Sequence, residues 1–172
     1  MQRYELSPDP AGNGQLETLL ACINDGTREW REYLEEPPIE AIVWQPYPNG
    51  PSIGGQILHI ASCEVYWLQL FVAGLGVDLS EPDMAYDSTL DQDNHHWPTP
   101  PSQPLSWYFE IQDRRRAESV AFIRSHGDPS AVYPRRDCEV TFGWIVAHLV
   151  EHDSYHGGQA VLLNEMWKKL RA

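Results

Sequence analysis

The chain has 172 residues, of which 42% are hydrophobic, and it carries a formal net charge of −13. This length fits a single domain, residues 1–172, with a sizeable core, and no apolar run approaches the roughly 20 residues of a membrane-spanning helix. The acidic balance repels phosphate backbones, so nucleic acid is not expected as a partner. Without a long apolar run, a membrane is not expected as a partner either.

Helical periodicity starts close to the N-terminus. Apolar residues at spacings of three, four and seven predict a first helix from Gly14 to Leu34, which Pro37-Pro38 ends. Ser52, a typical N-cap residue, opens a second predicted helix whose broad apolar face runs to Phe71. Two glycines follow and end that helix.

The second half of the chain starts with a long segment, residues 77–103, that is rich in Pro, Asp, Ser and Thr. Such a segment inside a domain is typical of a functional loop or a crossover. A third helix is predicted for residues 105–125, and a fourth from the N-cap Thr141 to about Leu170. The weak strand signal at Glu139–Phe142 is discounted. The pattern therefore predicts an all-α four-helix bundle with a long crossover between helices 2 and 3.

Other features bear on the surface and the cellular setting. The basic cluster Arg114-Arg115-Arg116 lies within the third helical pattern and is expected to be a solvated face. The three cysteines are an odd number in a chain that is not small, and they form no CxxC motif. A disulfide framework is therefore not expected, which agrees with a reducing compartment. The first eight residues lack the apolar segment of a secretory signal, so we expect a cytoplasmic protein.

The fourth helix carries His148, His152 and His156 at positions i, i+4 and i+8. Residues four apart are neighbours on a helix, so an adjacent pair can bind one metal ion. The outer two are about 12 Å apart along the axis, too far for metal–nitrogen bonds of about 2.1 Å.

A third ligand must then come from another helix, and His59 is the histidine on the apolar face of the second helix. If helices 2 and 4 are antiparallel, axial depth favours His59 meeting His152 and His156 rather than His148. The predicted metal ligands are therefore His59, His152 and His156.

Several neighbouring polar residues are further candidates. Cys63, one turn after His59, is either a fourth ligand or, as we favour, a small buried thiol. Glu64 lies about 140° around the helix from His59 and is a poor direct ligand. Asp153, Tyr155 and Gln159 are candidates for contacts around the metal or with a substrate, although ordinary packing or surface roles are at least as well supported.

Two other histidine patterns were weighed. His148 to His152 matches the H-x-x-E-H motif of inverted zinc proteases, but such a protease needs a distant carboxylate ligand and a larger fold. His95-His96-Trp97 could mark a second site, although adjacent loop histidines are usually solvated, and Trp97 could instead cover the mouth of a cleft.

Two motifs together resemble the DinB-like superfamily of metal-binding bundles. Ser52–Trp67 is similar to that family's second helix, with His59-Ile60 followed by Glu64 and Trp67. His148–Gln159 is similar to its H-x3-H-x3-H-x-G-Q motif. With the four helices and the crossover in the same order, the resemblance covers nearly the whole chain. One departure is Gly157, where members often carry an arginine. If that arginine contacts a thiol cofactor or fixes a dimer, this chain lacks the contact.

The resemblance implies an up-down-down-up helix order, a homodimer, and zinc or nickel held by the residues matching His59, His152 and His156. It also implies a small-molecule substrate, because some members transfer a low-molecular-weight thiol such as bacillithiol or mycothiol. The leading hypothesis is a metal-dependent enzyme that transfers such a thiol to an electrophile. The alternatives are a metal-dependent hydrolase, using Asp153 or Glu64 as general base, and a non-catalytic metal-binding protein of stress responses.

Overall fold

Four long helices dominate the described part of the chain, together with two short helices and one β-hairpin. The computed structural model describes residues 7–91 and 93–172. The long helices are α1 (Gly14–Leu34), α3 (Ile53–Val65), α5 (Leu105–His126) and α6 (Phe142–Lys169). The shorter elements are α2 (Ile39–Ile42), α4 (Pro82–Asp87), β1 (Val132–Arg135) and β2 (Cys138–Thr141). The prediction of a mainly helical chain is confirmed.

No helix among the described residues is long and apolar enough to cross a membrane. The expectation that the chain begins without a secretory signal concerns chiefly Met1–Leu6, which lie outside the described residues.

Short polar side chains and a glycine set the ends of the long helices where the sequence predicts them. Asn13, Ser52 and Thr141 precede α1, α3 and α6, and each side chain accepts a hydrogen bond from a backbone N–H of the first turn. Such a cap satisfies a donor that has no partner within the helix and contributes about 1 kcal/mol. Gly127 ends α5 with a left-handed φ of 72°, which glycine adopts without a steric penalty.

The helix that begins with α3 continues into a π-helical segment, Tyr66–Val72. Periodicity predicts one α-helix to Phe71, so the end is correctly placed but the geometry of the last turns differs. A π-helical turn holds more residues than an α-helical turn and shifts the side chains that follow it around the axis. Trp67 stays buried while Tyr66 is exposed, and both line the cavity described below.

Two apolar clusters hold the helices together. α1 packs along α6, and α3 packs against both α5 and α6. One cluster includes Trp30, Leu34, Ile57, Leu58 and Tyr108, and the other includes Leu20, Ile23, Leu68, Phe142 and Ile145. Burying one such side chain contributes about 1.5–3 kcal/mol, so these contacts supply the main force that joins the helices.

α1 and α6 approach closely at Gly157. A Cβ atom added there would collide with the Trp30 indole, whereas a Cβ at Gly158 would meet nothing within 4 Å. Close helix packing therefore explains the first glycine of this pair. The same contact explains the departure from the family motif, because an arginine at position 157 would have no space beside Trp30.

The discounted strand at Glu139–Phe142 is a correction, because Cys138–Thr141 forms β2. It pairs with β1 in antiparallel register, with Val132 opposite Thr141 and Arg135 opposite Cys138. Four residues per strand give little alternation to detect, and Pro134 weakens the strand signal of the partner.

The short helices α2 and α4 are also missing from the prediction. Four and six residues are too few to show a helical period. α4 starts with Pro82, which favours the first position of a helix, and it makes part of the predicted loop 77–103 helical.

The expectation of a solvated face at Arg114–Arg116 is wrong for two of the three arginines. Successive residues on a helix point about 100° apart, so three in a row cannot share one face. Arg115 is buried against Asp83 of α4, at 2.9 Å. Arg116 lies 2.7 Å from Glu64 of α3 and 2.9 Å from Asp153 of α6. These ion pairs join α5 to three other helices.

Candidate metal centre

Three histidine side chains from two helices meet at one point. His59 comes from α3, and His152 and His156 come from successive turns of α6. One nitrogen of each ring lies within 4.8 Å of those of the other two, and the Nε2 atoms of His59 and His152 are 3.2 Å apart. The structure thus brings together the three residues predicted as metal ligands.

Two of the rings are oriented by oxygen atoms behind them. His59 Nδ1 lies 2.7 Å from Asp87 Oδ1, and His156 Nδ1 lies 2.6 Å from Gln56 Oε1. Gln159 Oε1 is also 2.9 Å from His156 Nδ1. An oxygen acceptor at Nδ1 keeps the ring proton there, so the lone pair of each ring stays on Nε2. Such partners are typical of histidines that coordinate metals.

The histidines of α6 are held in their neutral form. Burial, followed by the neighbouring rings of His156 and His59, lowers the pKa of His152 to about 2. Burial, and then His59, lowers the pKa of His156 to about 4. Both rings therefore carry an unprotonated nitrogen at neutral pH, which is the form that binds a metal ion.

The three histidines line a cavity of about 760 Å³. Trp97 lies edge-on to His59, with ring centroids 5.4 Å apart, and its backbone oxygen accepts a hydrogen bond from Gln45. Trp97 therefore lines the cavity beside His59. His95 lines the rim, and neither it nor His96 belongs to a group of three metal-binding side chains in the described residues.

His148 stays apart from the other histidines, as axial spacing predicts. Its ring stacks on Trp144 with an interplanar angle of 3° and lies edge-on to Trp67. Its centroid is 5.9 Å from that of His152. Burial lowers the pKa of His148, so it lines the cavity as a neutral side chain.

Cys63 lines the same cavity but is absent from the three-residue cluster. Burial raises the pKa of its thiol well above the ordinary value, so the group remains protonated at neutral pH. Its burial and its position outside the cluster favour the interpretation as a buried thiol over that of a fourth ligand.

The two carboxylates considered as general bases face away from the histidines. Glu64 and Asp153 both bind Arg116, and neither lines the cavity. Asp153 Oδ1 also accepts hydrogen bonds from Thr27 and from the Trp30 indole N–H, at 2.9 and 3.0 Å. All these contacts fix the carboxylates in the packing between helices, where a substrate in the cavity cannot reach them.

Asp87 and Gln56 are the site residues that sequence reasoning missed. Asp87 belongs to a six-residue helix within the segment that showed no period, so nothing placed it beside His59. Gln56 has no role in the sequence prediction, although it lies one turn before His59 on the same face. A polar residue on an otherwise apolar helix face was the available signal.

Comparison with known proteins identifies the family. The profile of the DinB superfamily matches residues 23–160, a span that contains all three clustered histidines. No curated protein matches the chain significantly. Members of this superfamily generally bind metals, in agreement with the histidine cluster. The match confirms the resemblance drawn from the two motifs, and the chain belongs to the DinB superfamily.

Proposed function

We propose that the chain is a metal-dependent enzyme in which His59, His152 and His156 hold one divalent ion, zinc or nickel. The observation that carries the proposal is the convergence of three ring nitrogens within 4.8 Å. Two nitrogens on one tetrahedral ion, with bonds of about 2.1 Å, lie about 3.4 Å apart. The 3.2 Å between Nε2 of His59 and of His152 fits that spacing, and imidazole suits both metals.

The reaction we propose is transfer of a low-molecular-weight thiol to an electrophile. A bound divalent ion supplies a positive charge that lowers the pKa of a thiol in contact with it. In the transfer the thiol gives its proton to water and a sulfur–carbon bond forms. With a chloro-nitrobenzene, chloride departs with its bonding electrons; with a maleimide, the π electrons of the double bond move to the neighbouring carbon, which takes a proton from water. Three protein ligands leave a coordination position open, and a cavity of about 760 Å³ has room for two small reactants beside the histidines.

Metal-dependent hydrolysis is the second hypothesis, because the two carboxylates considered as its general base do not line the cavity. Glu64 and Asp153 are held by Arg116 away from the cavity. Among the described residues that line the cavity, Asp87 alone carries a carboxylate, and His59 occupies its Oδ1 atom. The non-catalytic alternative would be favoured by a fourth protein ligand, and Cys63, the fourth ligand considered from the sequence, lies outside the cluster.

The remaining features of the proposal follow from family membership. We propose a single domain with the up-down-down-up helix order, a cytoplasmic setting and a homodimer. Exposed apolar side chains of α6 that do not line the cavity, Leu162 and Met166, support an assembly that covers them. Small-angle scattering of purified protein should give the mass of a dimer, and a monomer mass at every concentration would reject this part.

Elemental analysis of protein purified without an affinity tag tests the metal. We expect about one divalent ion per chain, lost in His59→Ala, His152→Ala and His156→Ala. His148→Ala is the matched control, since it removes a histidine of α6 that is four residues before His152 but lies outside the cluster. Retention of metal in all three ligand variants would reject the site.

Cobalt(II) substitution tests the thiol. Titration with bacillithiol, mycothiol, glutathione or coenzyme A should produce a saturable sulfur-to-cobalt charge-transfer band in the near ultraviolet. The preferred thiol should then add to a chloro-nitrobenzene faster with metal than without it. Absence of the band with every thiol, alongside metal-dependent ester cleavage, would favour hydrolysis. Failure of both assays would favour the binding protein.

A further inference from the structure

Two arginines at the tip of the β-hairpin line the same cavity as the histidines. Arg135 ends β1 and is half-buried, and Arg136 follows it in the turn and is exposed. Arg136 adopts a φ of 51°, in the left-handed region that a long side chain seldom occupies. The backbone of the turn thus accepts a strained conformation at the residue that borders the cavity.

Both side chains lack the carboxylate partners that the arginines of α1 and α5 have. The two arginines of α1 and the four of α5 each form an ion pair with a carboxylate. Within the described part of the chain, neither Arg135 nor Arg136 has a carboxylate oxygen within 4 Å. The chain has 25 acidic and 12 basic residues, so carboxylates are plentiful and two unpaired cations in one cavity stand out.

The guanidinium of Arg135 is held in place by an aromatic face. Its central carbon lies 4.8 Å from the centroid of Trp67, a cation–π contact that leaves the N–H edges free to donate. Trp67 in turn contacts His148, which lies beside His152. A continuous row of side chains therefore links the arginines to the histidine cluster.

The charge of the cavity wall favours an anion. Its charged lining residues are Arg135, Arg136 and Asp87, and Asp87 is bound to His59. Two guanidinium groups outnumber the one carboxylate, so these side chains give the wall a net positive charge within a protein of net charge −13. A cleft lined by one sign of charge concentrates ligands of the opposite sign, and a guanidinium donates two parallel hydrogen bonds to a carboxylate.

We propose that Arg135 and Arg136 form a carboxylate-binding subsite and that the substrate is an organic anion. Its carboxylate binds at the hairpin and its reacting group faces the histidines. The identity of the reacting end rests on the proposed function, whereas the anion subsite requires no metal. The carboxylate could belong to the thiol or to the electrophile.

Isothermal titration calorimetry on metal-free protein tests the subsite with 3-phenylpropionate and its neutral amide. The carboxylate should bind about tenfold more tightly than the amide, as expected for hydrogen bonds between charged groups. Arg135→Gln and Arg136→Gln should each remove most of that preference, and Arg136→Lys should retain more of it than Arg136→Gln. Arg171→Gln is a matched control, because Arg171 also stacks on a tryptophan but does not line the cavity.

The proposal fails if acid and amide bind equally, or if both glutamine variants bind the acid like the parent. Because the titration uses metal-free protein, this outcome is independent of whether the metal hypothesis survives. Turnover by metal-loaded protein then shows whether the thiol or the electrophile carries the carboxylate. A higher KM in Arg136→Gln for 3-mercaptopropionate but not 2-mercaptoethanol assigns the carboxylate to the thiol. The same contrast between 4-maleimidobutyrate and N-ethylmaleimide assigns it to the electrophile.

Discussion

Replacing Asp87 by asparagine tests whether the histidine cluster is a metal site that depends on its surroundings. The Asp87 Oδ1 atom lies 2.7 Å from His59 Nδ1, and the two side chains are 25% and 11% exposed. Asparagine keeps the shape and an oxygen acceptor but removes the negative charge that faces the ring. Loss of such a partner typically weakens metal binding by about 10–100-fold. Since water reaches a quarter of the Asp87 side chain, we expect the lower end, about tenfold or ~1.4 kcal/mol.

Competition for zinc against a chelating dye at pH 7.5 would measure the affinity. Asp93→Asn is the matched control, because it removes the same charge from an exposed residue that does not line the cavity. It should leave the affinity unchanged, while His59→Ala should lower it much more than Asp87→Asn does. If Asp87→Asn binds zinc like the parent while His59→Ala binds it weakly, the argument about ring orientation is wrong.

Three further predictions concern stability. Gly157→Ala should lower the free energy of unfolding by about 1–3 kcal/mol through its collision with Trp30, whereas Gly158→Ala should raise it by up to about 1 kcal/mol. Arg116→Gln leaves two buried carboxylates without their cation and should cost about 3–5 kcal/mol. Metal-free protein should lose stability as the pH falls from about 6.5 towards 4, because the unfolded chain protonates His152 and His156 while the folded chain does not.

Urea unfolding followed by circular dichroism measures all three. Equal effects of the two glycine substitutions would contradict the close contact between α1 and α6. An Arg116→Gln protein as stable as the parent would mean that water solvates the carboxylates. A decline with pH that persists unchanged when His152 and His156 are both replaced by asparagine would have to arise from other groups.

The helical framework and the histidine cluster could be predicted because both depend on regular spacing. His152 and His156 are four residues apart on one long helix, and His59 is a polar exception on an apolar face. Periodicity and depth along two helices then suffice to bring these three together. The same reasoning correctly leaves out His148, which is one turn too far along α6.

Asp87, Arg135 and Arg136 could not be found in this way. Asp87 and Arg135 lie in elements of six and four residues, which give no measurable period, and Arg136 lies in the turn between the two strands. Asp87 is also 28 residues from the histidine it contacts. The orientation of the Asp153 side chain could not be predicted from the sequence either, because it depends on the position of Arg116 on a different helix. Short elements and pairings between helices are set by tertiary packing, which a one-dimensional pattern does not encode.

The guanidinium of Arg116 controls the orientation of the clustered histidines without contacting them. It binds Glu64, five residues after His59 on α3, and Asp153, the neighbour of His152 on α6. Neither helix can turn about its own axis without breaking one of these bonds, so a single side chain of α5 fixes the rotational setting of both ligand-bearing helices. During evolution, Arg116, Glu64 and Asp153 should therefore change as a group. Loss of the arginine alone would misalign the nitrogen donors even in a protein that still folds.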